Sequence, residues 1–235
     1  MKNTKTRTIA YLAMYVALYI VLKWLGNLIP FLNMPNGGSI ELELVAVFLA
    51  SYHLGWKLGL ATALLSWLIT IILGFGMWLY YPVQIILDYV FPLAICGLSS
   101  LLWPHIEMKK PGIIVMSVLL ALAAFFGVSI SFEKSVLGYV LGIVLGLGLA
   151  GMTYWFLDTR KRFGIVIAML LKYVSQVLSG VFFWYPEGAA AGSSYAWAYS
   201  ISYNLWYNLV TMVVCMILVP LLIDRLQKAK IQFKA

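Results

Sequence analysis

Long apolar runs, interrupted by short basic or Gly/Pro-rich segments, organise the chain from end to end. Eight such runs cover roughly 8–25, 40–54, 58–76, 83–103, 112–131, 136–157, 163–184 and 198–223. Most approach the ~20 residues an α-helix needs to cross a bilayer core. In hydrocarbon every backbone polar group has to be satisfied within the protein, which leaves helices or a closed barrel. The alternating pattern of barrel strands is absent, so helices are predicted. The second run, 40–54, is short for a full span and is expected to be tilted, kinked or partly re-entrant. The predicted fold class is an all-α polytopic membrane protein, a bundle of about eight transmembrane helices forming one membrane domain over residues 1–235.

Composition agrees with the pattern. The chain is 63% hydrophobic and 10% charged, with mean hydropathy +0.95, whereas a soluble domain carries about a quarter charged residues. The net charge of +8 is distributed in short clusters between apolar runs, which argues against a nucleic-acid face. KNTKTR, HLGWK, HIEMKK, DTRKR and DRLQKAKIQFK fall on one side by alternation. The other side has little beyond Lys134, with Lys23 near its boundary. The positive-inside rule then predicts a multi-pass cell (plasma) membrane protein with both termini cytoplasmic. The first run continues to about Leu25 without a small-residue cleavage site, so it reads as a retained span, not a removed signal. Three loops rich in aromatics, Gly and Pro are thereby assigned to the outside: 26–39, 74–82 and 185–197.

Cys96 and Cys215 lie within apolar runs and read as small buried hydrophobes, without disulfide or metal spacing. No phosphate-binding loop or HExxH motif is present, and no catalytic residue, metal site or cofactor is predicted. Gly138, Gly142 and Gly146 recur at the small-xxx-small spacing of closely packed helices.

Ionisable groups at membrane depth are costly and mark candidate sites. Glu41 and Glu43 stand at the start of the second run. On a continuous helix they would lie about 200° apart, so one is expected to face the interior while the other starts the helix. Gln84 and Asp88 are spaced i,i+4, with Tyr81 three residues earlier and Tyr89 adjacent, a polar-aromatic stripe. Lys172 and Gln176 repeat that spacing, with Gly180 and Trp184 continuing towards the outer loop. Lys172 could equally pair with Asp88. In the last run Tyr203 and Tyr207, and Asn204 and Asn208, are likewise i,i+4. His53 and His105 fall at the opposite, basic loops. Carboxylates and amides among Trp and Tyr rings, Trp78 of the second outer loop included, suit a flat cationic organic ligand.

Four blocks, GGSIELELVAVFLASYHLGWKLG, YYPVQIILDYVFPLAICGL, LKYVSQVLSGVFFW and AYSISYNLWYN, taken in order, resemble the thiamine-specific S-component (ThiT type) of energy-coupling factor (ECF) vitamin transporters. The resemblance covers most of the chain outside about 104–162. It implies that Glu43, the pair Asp88-Tyr89, Lys172, Trp184, Tyr199 and Asn204 line a thiamine pocket. Acidic and Asn groups would hold the aminopyrimidine, with aromatics around the thiazolium. It also implies that Ala13 and Ala17 dock a transmembrane coupling subunit, and that ATP binds only to two partner ATPase subunits. Three departures stand out: about 50 additional residues near 112–157 resemble an inserted helix pair on a six-helix core, Gln176 stands where the family has a His, and Asp88 replaces a Glu. The rival readings are an autonomous proton-coupled secondary transporter for a cationic aromatic small molecule, using Asp88 or Glu43, although no inverted repeat supports it, and an ECF S-component for a different vitamin or precursor.

Overall fold

Eleven consecutive residues near the start of the chain, Leu44–Leu54, are all buried, and the remaining helices are arranged around them. The computed structural model describes residues 3–102, 109–159, 164–229 and 231. The basic segments at 103–108, 160–163, 230 and 232–235, His105 among them, lie outside these.

Helix α1 (Asn3–Leu28) leads through a 3₁₀ turn at Pro30–Leu32 to a loop pinned by an antiparallel bridge between Asn33 and Ser39. Helix α2 (Leu44–Leu54) follows. At 1.5 Å per residue it is roughly 17 Å long, too short to span a bilayer. It carries no charged residue within its length, which is why it can be enclosed by α1, α3 (Trp56–Ile72), α4 (Pro82–Gly97) and the last helix. Leu44, Phe48 and Tyr52 of α2 join Cys96, Ile165, Met169, Cys215 and Val219 in one core.

The fourth apolar run is not a single regular helix. In α4 the winding widens to a π turn over Ile86–Val90, immediately before Pro92. Proline has no N–H to donate to a carbonyl one turn back, and its ring crowds that carbonyl. The local winding relaxes, and Ser175 Oγ donates to the Leu87 carbonyl at 2.7 Å. A short helix α5 (Ser99–Leu102) ends this part of the chain.

Helices α6 (Lys110–Ser131) and α7 (Val136–Thr159) form a hairpin that joins the bundle through α6 against the last helix. The predicted glycine packing is present. A β-carbon at Gly142 or Gly146 would approach the carbonyl oxygens of Phe125 or Ala121 to 3.0 or 2.9 Å. Helix α8 (Ile165–Phe183) and the 35-residue α9 (Ser194–Lys228) complete the bundle. Ser193 caps α9, its Oγ accepting from the Ala196 N–H at 3.2 Å.

Among the described residues, five helices are long and apolar enough to cross a membrane, α1, α6, α7, α8 and α9, while α2, α3 and α4 are shorter apolar helices. The all-α polytopic class is as expected, with unequal spans. His53 is not in a loop: it closes α2, buried, with Nδ1 2.8 Å from the Tyr15 hydroxyl and the Tyr11 ring packed edge-on.

Candidate functional site

The loops at 29–43, 73–81 and 184–193 all lie at one end of the bundle, and the polar side chains of α4, α8 and α9 converge beneath them. The chain enters α2 only at Leu44, so Glu41 and Glu43 sit in the turn ahead of the helix. The expectation that helical geometry would turn them to opposite sides is therefore corrected. Both carboxylates point inward, and each meets a lysine from a different helix. Glu43 Oε1 lies 2.8 Å from Lys23 Nζ of α1, with the Glu43 side chain only 3% exposed. Glu41 Oε2 lies 2.7 Å from Lys172 Nζ of α8. Glu41 is thus more than a helix starter, and its backbone N–H is also held, by Thr211 Oγ1 at 3.0 Å.

Lys172 does not pair with Asp88 and is saturated elsewhere. Its ammonium donates to Gln176 Oε1 at 2.9 Å and Asn208 Oδ1 at 2.8 Å besides meeting Glu41. Three acceptors match the three protons of an ammonium. Asn208 Nδ2 closes the network by donating to Gln176 Oε1 at 2.8 Å. The ammonium also lies 5.7 Å from the centre of the Tyr207 ring.

Asp88 is held by neutral donors. Gln84 Nε2 and Trp184 Nε1 donate to its Oδ2 at 2.6 and 2.8 Å. Gln84, buried on α4, also ties the preceding loop, donating to the Trp78 carbonyl at 3.0 Å and accepting from the Tyr80 N–H at 3.2 Å. Tyr89 OH accepts from the Trp78 N–H at 3.2 Å. Trp78 and Trp184 then pack at 5.2 Å between ring centres, with Tyr80 5.9 Å from Trp184. Among the described residues no lysine or arginine forms an ion pair with Asp88.

Tyr81 does not join this cluster. It precedes Pro82, which disfavours helical backbone at the position before it. Its φ of −131° and ψ of 141° are extended. The predicted i,i+3 stripe with Gln84 therefore has no helix to run along, and Tyr81 is 60% exposed, against Phe183.

The first loop closes over α9. Tyr203 OH donates to the Gly37 carbonyl and accepts from the Asn36 N–H, each at 2.9 Å. Asn36 Nδ2 donates to Tyr199 OH at 3.1 Å, and the Tyr199 and Tyr203 rings stack at 5.4 Å. Gly37 and Gly38 have φ of +90° and +84°, and a β-carbon on them would fall 2.9 Å from the Trp78 ring and 2.8 Å from the Tyr207 ring. Below, Tyr207 OH donates to Asn204 Oδ1, and Asn204 Nδ2 donates to Ser200 O and Oγ at 2.9 and 3.0 Å.

The fold thus brings together Glu43, Trp78, Gln84, Asp88, Tyr89, Lys172, Gln176, Trp184, Tyr199 and Asn204. Lys23, Asn36, Thr211 and Ser200 escaped the list of candidates, as did the inward role of Glu41. Lys23 had a signal, being a lone lysine near the end of an apolar run. Asn36 had none, because its contacts are made by loop closure. Ala13 and Ala17 lie together on the outer face of α1, exposed beside Met14 and Val21, opposite buried Tyr15 and Tyr19.

Chemically, the arrangement offers two carboxylates neutralised by internal ammonium groups. It adds one carboxylate bound only by neutral donors, with stacked indoles beside it. That combination favours a cation with flat rings.

Comparison with known proteins points in one direction. A family profile described as thiamine transporter protein (Thia_YuaJ) matches residues 9–231. The thiamine transporter ThiT of Bacillus subtilis (strain 168) is 33% identical over 120 residues, covering 49% of this chain and 57% of that protein. The match with this curated relative therefore spans little more than half of the relative's length. No solved structure matches the chain significantly.

Proposed function

The chain belongs to the thiamine transporter protein family, and on that premise we propose that it is the substrate-binding subunit of an ECF-type importer. In this reading it captures thiamine or a close relative from the extracellular side, for ATP-driven uptake with a transmembrane coupling subunit and two ATPase subunits. The observation that carries the reading is Asp88, a carboxylate without a cation partner among the described residues, held against the Trp78–Trp184 pair.

A cationic vitamin brings positive charge to a site where three carboxylates, Glu41, Glu43 and Asp88, face two lysines, Lys23 and Lys172. Asp88 and Asn204 can accept from and donate to an aminopyrimidine, while Trp78, Trp184, Tyr89 and Tyr199 provide faces for the two rings. Glu43 adds negative potential. Lys172 and Gln176 hold Glu41 and Asn208 in place, so that the polar floor is preorganised before the ligand arrives. Residues 29–43 act as the lid through Asn36 and Gly37. On the outer face of α1, Ala13 and Ala17 leave room for a close helix-helix approach by the coupling subunit. The α6–α7 hairpin is an addition to a six-helix core, packed against α9 beside the site.

Proteoliposomes test the division of labour. Liposomes containing this chain alone are expected to accumulate no labelled thiamine under an imposed proton gradient, and to do so with ATP once the coupling module is included. Proton-driven accumulation by the chain alone would instead establish the autonomous secondary transporter.

A further inference from the structure

The two internal ion pairs are not equivalent. Lys172 has three acceptors, is 1% exposed, and sits eleven residues before the end of α8 at Phe183. That places it about 17 Å along the helix from the loop side, too deep for its ammonium to reach water. Lys23 pairs with Glu43, its side chain is 18% exposed, and α1 ends five residues later at Leu28. About 8 Å of helix separates it from that end, within range of a lysine that snorkels to the interface. Glu43, in contrast, is 3% exposed and cannot follow it out.

We infer that Lys23 is a tethered counter-ion that occupies Glu43 in the empty protein and is displaced by the cationic ligand. The inference rests on the functional reading above and adds a residue from α1 that sets the affinity for cationic ligands. Leaving one member of a buried ion pair without its partner is strongly unfavourable. Lys23 meets that need without ligand, and a ligand whose cationic ring reaches Glu43 meets it instead, the lysine then extending to the interface. A neutral ligand cannot make the exchange, because it would leave Glu43 buried and unpaired. The lysine therefore lowers affinity for cationic ligands by competing with them for Glu43, while the discrimination against uncharged ligands comes from the Glu43 carboxylate itself. Displacement also unties α1 from the turn leading into α2.

The test is calorimetric titration of purified wild type, Lys23→Met and Lys23→Arg with thiamine and with an analogue whose thiazolium is replaced by an uncharged five-membered ring. Lys23→Met is expected to bind thiamine about tenfold more tightly, since the competing cation is gone. The preference for thiamine over the neutral analogue should widen. Its ligand-free thermal midpoint should fall and be restored by thiamine. Lys23→Arg, which keeps a stronger, forked ion pair, should bind thiamine more weakly with its fold intact. If Lys23→Met does not fold, the arginine variant decides, and unchanged or tighter binding by it overturns the inference. Wild-type binding with equal or weaker binding by Lys23→Met overturns the inference alone. No binding by wild type overturns the functional reading and this inference with it.

Discussion

Lys172 lies in the middle of α8 with every ammonium proton directed at an acceptor, and its companion Glu41 reaches it from the turn before α2. Truncating one partner of a buried ion pair leaves the other uncompensated, at a cost of roughly 3 kcal/mol or more. Lys172→Met is therefore expected to lower stability by about that amount, read as a reduced thermal midpoint in detergent. Lys172→Met combined with Glu41→Gln should recover a measurable part, because the stranded charge is gone. An unchanged midpoint in the single variant would show that the pair contributes nothing. At this scale the sequence was most legible where spacing along a helix determines facing. Gln84 with Asp88, and Lys172 with Gln176, are i,i+4 pairs that do share a face. It was least legible at helix ends. Whether Glu41 and Glu43 diverge or converge depends on where α2 begins, and no periodicity in GGSIELEL marks Leu44 as that point. Tyr81 failed for a related reason, since the proline after it removes the helix on which the stripe was drawn.

Among the elements, the first loop and the π-wound helix α4 do most to position the site. The loop reaches α9 through Asn36 and Gly37, and Gly38 is seated on the Tyr207 ring with a left-handed φ. Gly38→Ala would combine an unfavourable backbone conformation with a β-carbon 2.8 Å from that ring. It is expected to weaken ligand binding by about tenfold or more through imperfect lid closure, while the bundle itself, measured by helical circular dichroism, stays intact. Unaltered affinity would mean that the closed loop is not part of the bound state. Helix α4 shows a different limit of sequence reading. Pro92 signals a disturbance, but a kink, a break and a π turn are all compatible with it. Only the acceptor offered by Leu87 and the donor on Ser175 decide among them.

Viewed as a whole, the molecule buries a short helix instead of spanning with it. Composition and run length are enough to identify a polytopic helical bundle, because the bilayer imposes one length scale on all its spans. They cannot reveal that α2 is enclosed on all sides, since a fully buried helix and a lipid-facing one are equally apolar. The assembly of the site from α1, the turn ahead of α2, α4, α8 and α9 was partly readable through its polar residues. Asn36 became visible only when the loop was placed, and Lys23, conspicuous in the sequence as a lone lysine, gained its partner Glu43 only when α1 was placed. The central claim is that these elements together form a closed site for a cationic thiamine-like vitamin. A single titration tests it: purified protein with thiamine and a panel of other vitamins, followed by tryptophan fluorescence, with Trp78 and Trp184 beside Asp88 as reporters. The account predicts saturable quenching by thiamine in the absence of any partner subunit, and none by anionic or neutral vitamins. An absence of thiamine binding, or equal binding across the panel, would contradict it.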